Sequence, residues 1–138
     1  MPALSTGVYR ISFTNEQLLT VPDLRPGAPL MLLPPDAGPP QEWVVSNGDN
    51  DTYTISPPNT ALSVSYDGEP DMHEPAIMEN QPRRWRLTPG EALDTYFIAV
   101  PDAPMRLGLS LLRIFPPRVA LAPEYDDRYQ AWTFTKVN

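Results

Sequence analysis

The chain has 138 residues, 41% of them hydrophobic, with 10 basic residues against 17 acidic ones for a formal net charge of −7. That length fits one domain with a sizeable core, and the acidic balance, with no basic run to reverse it locally, argues against nucleic acid and membrane surfaces as partners. Zero cysteines exclude disulfides, zinc–thiolate sites and cysteine nucleophiles, and no apolar run is long enough to span a membrane as a helix.

Nineteen prolines are spread along the whole chain. Proline lacks a backbone donor and clashes with the preceding helical turn, so short strands joined by proline-rich loops are predicted and helices are not. In chain order, strands are predicted at 8–14, 17–23, 29–33 and 42–46, then at 52–56, 62–66, 76–78 and 84–87. A last set follows at 96–100, 106–109, 119–121 and 131–136. Turn chemistry separates the sets: Asn47-Gly48-Asp49-Asn50-Asp51 after the first and Thr88-Pro89-Gly90-Glu91 after the second.

The three sets are repeats. Tyr9-Arg10-Ile11 recurs 44 residues on as Tyr53-Thr54-Ile55, and 43 residues further as Tyr96-Phe97-Ile98. The three tryptophans follow the same beat: Trp43, Trp85 and Trp132 lie 42 and 47 residues apart, and each has an apolar residue two places later, Val45, Leu87 and Phe134. Both motifs have period 2, which puts a pair of side chains on one face of a strand. These aromatics and their partners are expected in the core. Three four-stranded units, at roughly 7–47, 51–88 and 94–136, make twelve strands in one domain. Three are too few for a propeller, and a closed barrel covered by hairpins leaves no raw edges. The predicted fold is therefore an all-β β-trefoil.

The opening Gly7-Val8-Tyr9-Arg10-Ile11 and the closings Gln41-Glu42-Trp43 and Gln130-Ala131-Trp132 resemble those of the mushroom β-trefoil protease inhibitors. The fungal trypsin-type serine protease inhibitors are the best match, and the mycocypins, which inhibit papain-like cysteine proteases and legumain, come second. The second repeat departs from the pattern, with Arg83 in place of the closing glutamine. The resemblance implies a monomeric, non-enzymatic inhibitor that needs no cofactor and inserts a surface loop into a protease. The Gln-x-Trp closing is also a mark of the ricin-B-type lectins, which implies sugar binding as the alternative. That pattern also wants an aspartate and a later asparagine in each repeat. Asp23 suits the first, and no asparagine stands between it and Trp43.

Four segments are candidate sites. The loop Leu24-Arg25-Pro26-Gly27 is, by the resemblance, the one whose arginine enters a trypsin specificity pocket. A long cation there makes a charge-assisted, desolvated contact, and flanking prolines reduce the entropy lost on binding. Pro26 follows Arg25 directly, so the loop either resists cleavage or does not engage a trypsin-like enzyme at all. A solvated loop arginine is the plainer reading. Asn59, in Ser56-Pro57-Pro58-Asn59-Thr60, corresponds to the mycocypin loop that meets legumain; asparagine is also simply a good turn residue. The segment 111–118 carries Leu112, Ile114 and Phe115 flanked by Arg113 and Arg118, and reads either as an apolar docking loop or as strand continuing into the core. His73 is the only histidine, in an acidic stretch that reads as a solvated loop. No metal-ligand cluster or phosphate-binding glycine loop is evident. Residues 1–7 lack the charged and apolar regions of a secretion signal, so a cytoplasmic location is expected, or export by a nonclassical route.

Overall fold

The computed structural model describes residues 4–14, 16–38, 40–48, 51–110, 114–123 and 131–137. They form twelve strands: β1 (Gly7–Thr14), β2 (Gln17–Thr20), β3 (Met31–Leu33), β4 (Trp43–Asn47), β5 (Thr52–Ser56), β6 (Ser63–Ser65), β7 (Ile77–Glu79), β8 (Trp85–Pro89), β9 (Thr95–Ala99), β10 (Met105–Leu109), β11 (Val119–Pro123) and β12 (Ala131–Lys136). Predicted and observed bounds agree within a few residues. The largest difference is β2, which stops at Thr20 instead of running to residue 23, because Pro22 cannot donate to a ladder.

Six strands close a barrel. Antiparallel pairs run β1–β4, β4–β5, β5–β8, β8–β9, β9–β12 and β12–β1, and the last pair closes the ring. The other six form the hairpins β2–β3, β6–β7 and β10–β11. These hairpins meet one another through single bridges: Pro29 with Ile77, Pro75 with Ala120, and Arg118 with Met31. Each repeat thus hands one hairpin to its neighbour, and the contacts run in a circle. The architecture is the β-trefoil that the repeats predicted.

The tryptophans mark the threefold relation. All three are fully buried, and each indole Nε1–H donates to a backbone carbonyl one hairpin away: Trp43 to Leu19 at 2.9 Å, Trp85 to Val64 at 3.0 Å and Trp132 to Leu107 at 3.0 Å. A buried indole needs such a partner, since an unmade bond there would cost its full desolvation. Tyr9, Tyr53, Ile11, Ile55 and Ile98 are buried beside them, while Tyr96 is only half-buried and packs edge-on against Phe134 at 5.4 Å.

Candidate functional site

The first loop to consider joins β2 to β3. Its base is stitched to the second repeat: the Gly27 N–H donates to the Met78 carbonyl at 2.7 Å, and the Met78 N–H returns to the Ala28 carbonyl at 2.9 Å. Ala28 and Leu30 are fully buried and hold the returning chain in the core. Between them Arg25-Pro26-Gly27-Ala28 closes a turn through the Ala28 N–H and the Arg25 carbonyl at 3.2 Å. Proline presets φ at the second position and glycine takes φ 84° at the third, the residue pattern of a type II turn. The local sequence therefore dictates the turn, and the turn fixes where Arg25 leaves the backbone.

Leu24, Arg25, Pro26 and Gly27 are all exposed. The Arg25 side chain is 63% exposed, with its Nε 3.4 Å from the equally exposed Asp23 carboxylate. Such a pair is worth little in water and yields readily to a better-placed carboxylate. Leu24 is 51% exposed. It borders an open cleft of about 460 Å³ that Pro57 and Pro58 also line, together with the Arg10–Asp36 ion pair (3.5 Å). Two candidate loops that are separate in sequence therefore line one cleft, through Leu24 and through Pro57 and Pro58. Asn59 lies beyond these prolines, exposed, at φ 62°, in a turn braced by Thr60 Oγ1 donating to the Pro57 carbonyl at 3.1 Å.

The other described candidates are not among the residues that line this cleft. Arg118 is half-buried; its carbonyl accepts from the Ser110 N–H at 2.9 Å, and its Nε is buried with no hydrogen-bond partner among the described residues. Arg113 and Leu112 lie outside the described residues. β10 ends at Leu109, and Ile114 and Phe115 are exposed at 45% and 89%, so that part of the segment does not continue into the core. His73 is exposed and lies in the turn of the β6–β7 hairpin at φ 69°. Among the described residues no group of three or more histidines and carboxylates is placed to hold a metal.

The closing glutamine has a bracing role. Gln41 is buried; its amide donates to Thr20 Oγ1 at 3.2 Å and to the Pro34 carbonyl at 2.8 Å, and its Oε1 accepts from the Asp36 N–H at 3.0 Å. In repeat two Arg83 takes its place. The Arg83 Nε–H donates to Ser65 Oγ, the counterpart of the Thr20 hydroxyl, at 2.9 Å, a second N–H donates to the Tyr66 carbonyl at 3.0 Å, and the guanidinium lies 3.9 Å over the Tyr66 ring. Sequence reasoning registered Arg83 only as a departure. The usable signal was Ser65, which follows the tryptophan-bonded Val64 just as Thr20 follows Leu19. Arg83 also borders a polar cleft of about 640 Å³ that sequence reasoning missed, lined by Asp67, Glu79, Asn80, Gln81 and Arg84.

No family model and no curated protein matches the chain in sequence. Solved structures do match, over nearly the whole length. The Macrolepiota procera ricin B-like lectin in complex with lactose is 18% identical with a TM-score of 0.81, over 99% of each chain. The Rhizoctonia solani agglutinin is 13% identical with a TM-score of 0.84 over 99% of each chain, and a designed 3-fold symmetric protein, ThreeFoil, is 15% identical with a TM-score of 0.80 over 95% of this chain and 99% of its own. At these identities the likeness defines the β-trefoil fold. The resemblance to protease inhibitors rests on the sequence motifs, and the solved structures named here do not extend it.

Proposed function

We propose that the chain is a binding protein that inhibits a trypsin-like serine protease reversibly, with Arg25 as the inserted residue. The observation that carries this reading is the Arg25–Ala28 turn, whose base is hydrogen-bonded to β7 while Leu24 and Arg25 project into solvent. A loop held in one shape loses little entropy on docking, and a guanidinium fits an acidic pocket by charge and by hydrogen-bond geometry. Pro26 makes the bond after Arg25 a poor substrate, so the loop stays intact while bound. The test is titration of trypsin with the protein and with Arg25→Ala, Arg25→Lys and Arg25→Glu. Arg25→Ala is expected to weaken inhibition by at least about 2–4 kcal/mol, since it leaves the pocket's aspartate buried and unpaired. Lysine retains part of the affinity and glutamate none. Inhibition by Arg25→Ala equal to that of the parent removes Arg25 from the site, and a protein that leaves trypsin fully active ends the reading.

Carbohydrate binding is the second reading. It is favoured by the polar cleft of repeat two, where Asp67, Glu79 and Asn80 offer acceptors and an amide to sugar hydroxyls, and by the fold shared with a lectin described as complexed with lactose. In repeat one the counterpart of Asp67, three residues after the tryptophan-bonded Leu19, is Pro22, which has no polar side chain to bind a hydroxyl. Titration with lactose and a glycan array discriminate: a saturable sugar signal lost in Asp67→Ala supports this reading, and a blank array removes it.

A further inference from the structure

We propose that the turn carrying Ile114 and Phe115 is a second docking loop, which seats the Phe115 ring in the apolar specificity pocket of a chymotrypsin-like protease independently of Arg25. The proposal rests on the reading of this chain as an inhibitor that presents loops.

Its ground is the equivalence of three turns. Each is tied at its end to an outer strand of another repeat: the Met78 N–H donates to the Ala28 carbonyl at 2.9 Å, the Leu121 N–H to the Glu74 carbonyl at 2.9 Å, and the Leu32 N–H to the Pro117 carbonyl at 3.0 Å. Ala28, Glu74 and Pro117 therefore correspond. Two residues before each stand Pro26, Met72 and Phe115, all exposed. One scaffold position thus carries different chemistry in each repeat: a cation beside Pro26, an acid beside Met72, and an aliphatic side chain beside Phe115. The three tips belong to three different hairpins, one from each repeat.

Exposure singles out the third tip. Phe115 is 89% exposed and the adjoining Ile114 45%, with Pro116 and Pro117 completing a run of four apolar residues. Large apolar side chains adjoining at a loop tip mark a contact surface. Leu93 is as exposed, at 88%, but stands in a turn between Glu91 and Asp94 with no second large apolar residue. Phe115 also shares a feature with Arg25: each is followed by proline, Pro116 and Pro26. A proline there makes the bond a poor substrate in both loops. Two adjacent prolines limit the backbone freedom of the third turn, and its end is anchored through the Pro117 carbonyl and through the Ser110 N–H to the Arg118 carbonyl at 2.9 Å.

The experiment measures inhibition of chymotrypsin and trypsin by the parent, Phe115→Ala, Phe115→Tyr and Arg25→Ala, with size-exclusion chromatography of the three-component mixture. The expected result is inhibition of chymotrypsin that weakens at least about tenfold in Phe115→Ala, a loss of hot-spot size. Phe115→Tyr retains it and Arg25→Ala leaves it unchanged, while the trypsin titration responds only to Arg25. A complex holding both proteases confirms independence. Chymotrypsin inhibition that survives Phe115→Ala overturns the proposal, as does an active chymotrypsin alongside an inhibited trypsin. An inhibited chymotrypsin that responds to Phe115 with trypsin untouched sustains the second loop and removes Arg25 from the first. Loss of both activities in the parent overturns both readings together.

Discussion

Gly27 and His73 occupy the same place in successive repeats. Each amide donates to the carbonyl of an outer strand, Gly27 to Met78 at 2.7 Å and His73 to Leu121 at 2.8 Å, and each residue has positive φ, 84° and 69°. Glycine takes this conformation freely, whereas a side chain costs roughly 1–2 kcal/mol there. No atom lies within 4 Å of a Cβ added at Gly27, so Gly27→Ala is expected to destabilise by about 1 kcal/mol through the backbone alone. His73→Gly is expected to stabilise by about 0.5 kcal/mol, once the extra entropy of unfolded glycine is subtracted. Urea unfolding of the two variants checks both signs; a neutral Gly27→Ala means the turn tolerates another shape.

Arg83 replaces a glutamine without loss of bracing. Arg83→Ala takes the donor from the buried Ser65 hydroxyl and leaves the Tyr66 carbonyl only the longer bond from Ser65 Oγ at 3.2 Å, and is expected to cost about 2 kcal/mol. Arg83→Gln should cost less than half as much, because Gln41 performs the same task in repeat one. Equal losses in the two variants would show that the guanidinium stack on Tyr66 carries the stabilisation.

Trp85 is fully buried and satisfies the Val64 carbonyl. Trp85→Ala is expected to cost about 3–5 kcal/mol through the cavity and the lost bond. Trp85→Phe, which keeps most of the ring but leaves the Val64 carbonyl only the long bond from Ser63 Oγ at 3.4 Å, should cost about 1–3 kcal/mol. A loss under about 1 kcal/mol for the alanine variant would place this residue outside the core.

Burial, and then the neighbouring Asp51 carboxylate, hold the Tyr53 phenol above its ordinary value. The folded state thus favours the neutral phenol, whose O–H donates to the Leu4 carbonyl at 2.8 Å. Its contribution is complete below the unfolded value, near pH 10, and is lost as pH rises through the higher folded value. Tyr53→Phe should cost about 1 kcal/mol near neutrality and should remove part of the alkaline decline. Denaturant midpoints from about pH 8 to about pH 12 decide it; parallel curves would assign the decline to other groups.

The fold was legible because its signals are spaced by the scaffold. Tyr9, Tyr53 and the three tryptophans sit where a period-2 pattern meets a repeat, so burial followed from position. The Arg25 turn was legible for a local reason, since Pro26 and Gly27 specify it within four residues. What joins Leu24 to Pro57 and Pro58, or Arg83 to Ser65 and Tyr66, is long-range. No local rule brings together residues so far apart in the chain, and only hairpin docking reveals which loops share a cleft. The polar cleft beside Asp67 escaped notice for the same reason.

The strand β12 lies between β1 and β9, bonded to both. During synthesis, β1 to β11 emerge before the strand that seals them. Until it arrives, two inner strands offer bare amides and carbonyls to any passing chain. Closure then joins segments from opposite ends of the repeat array, a step that contact order makes slow. The nascent domain is therefore most vulnerable between the emergence of β11 and that of β12, and a shielding chaperone would matter most in that interval.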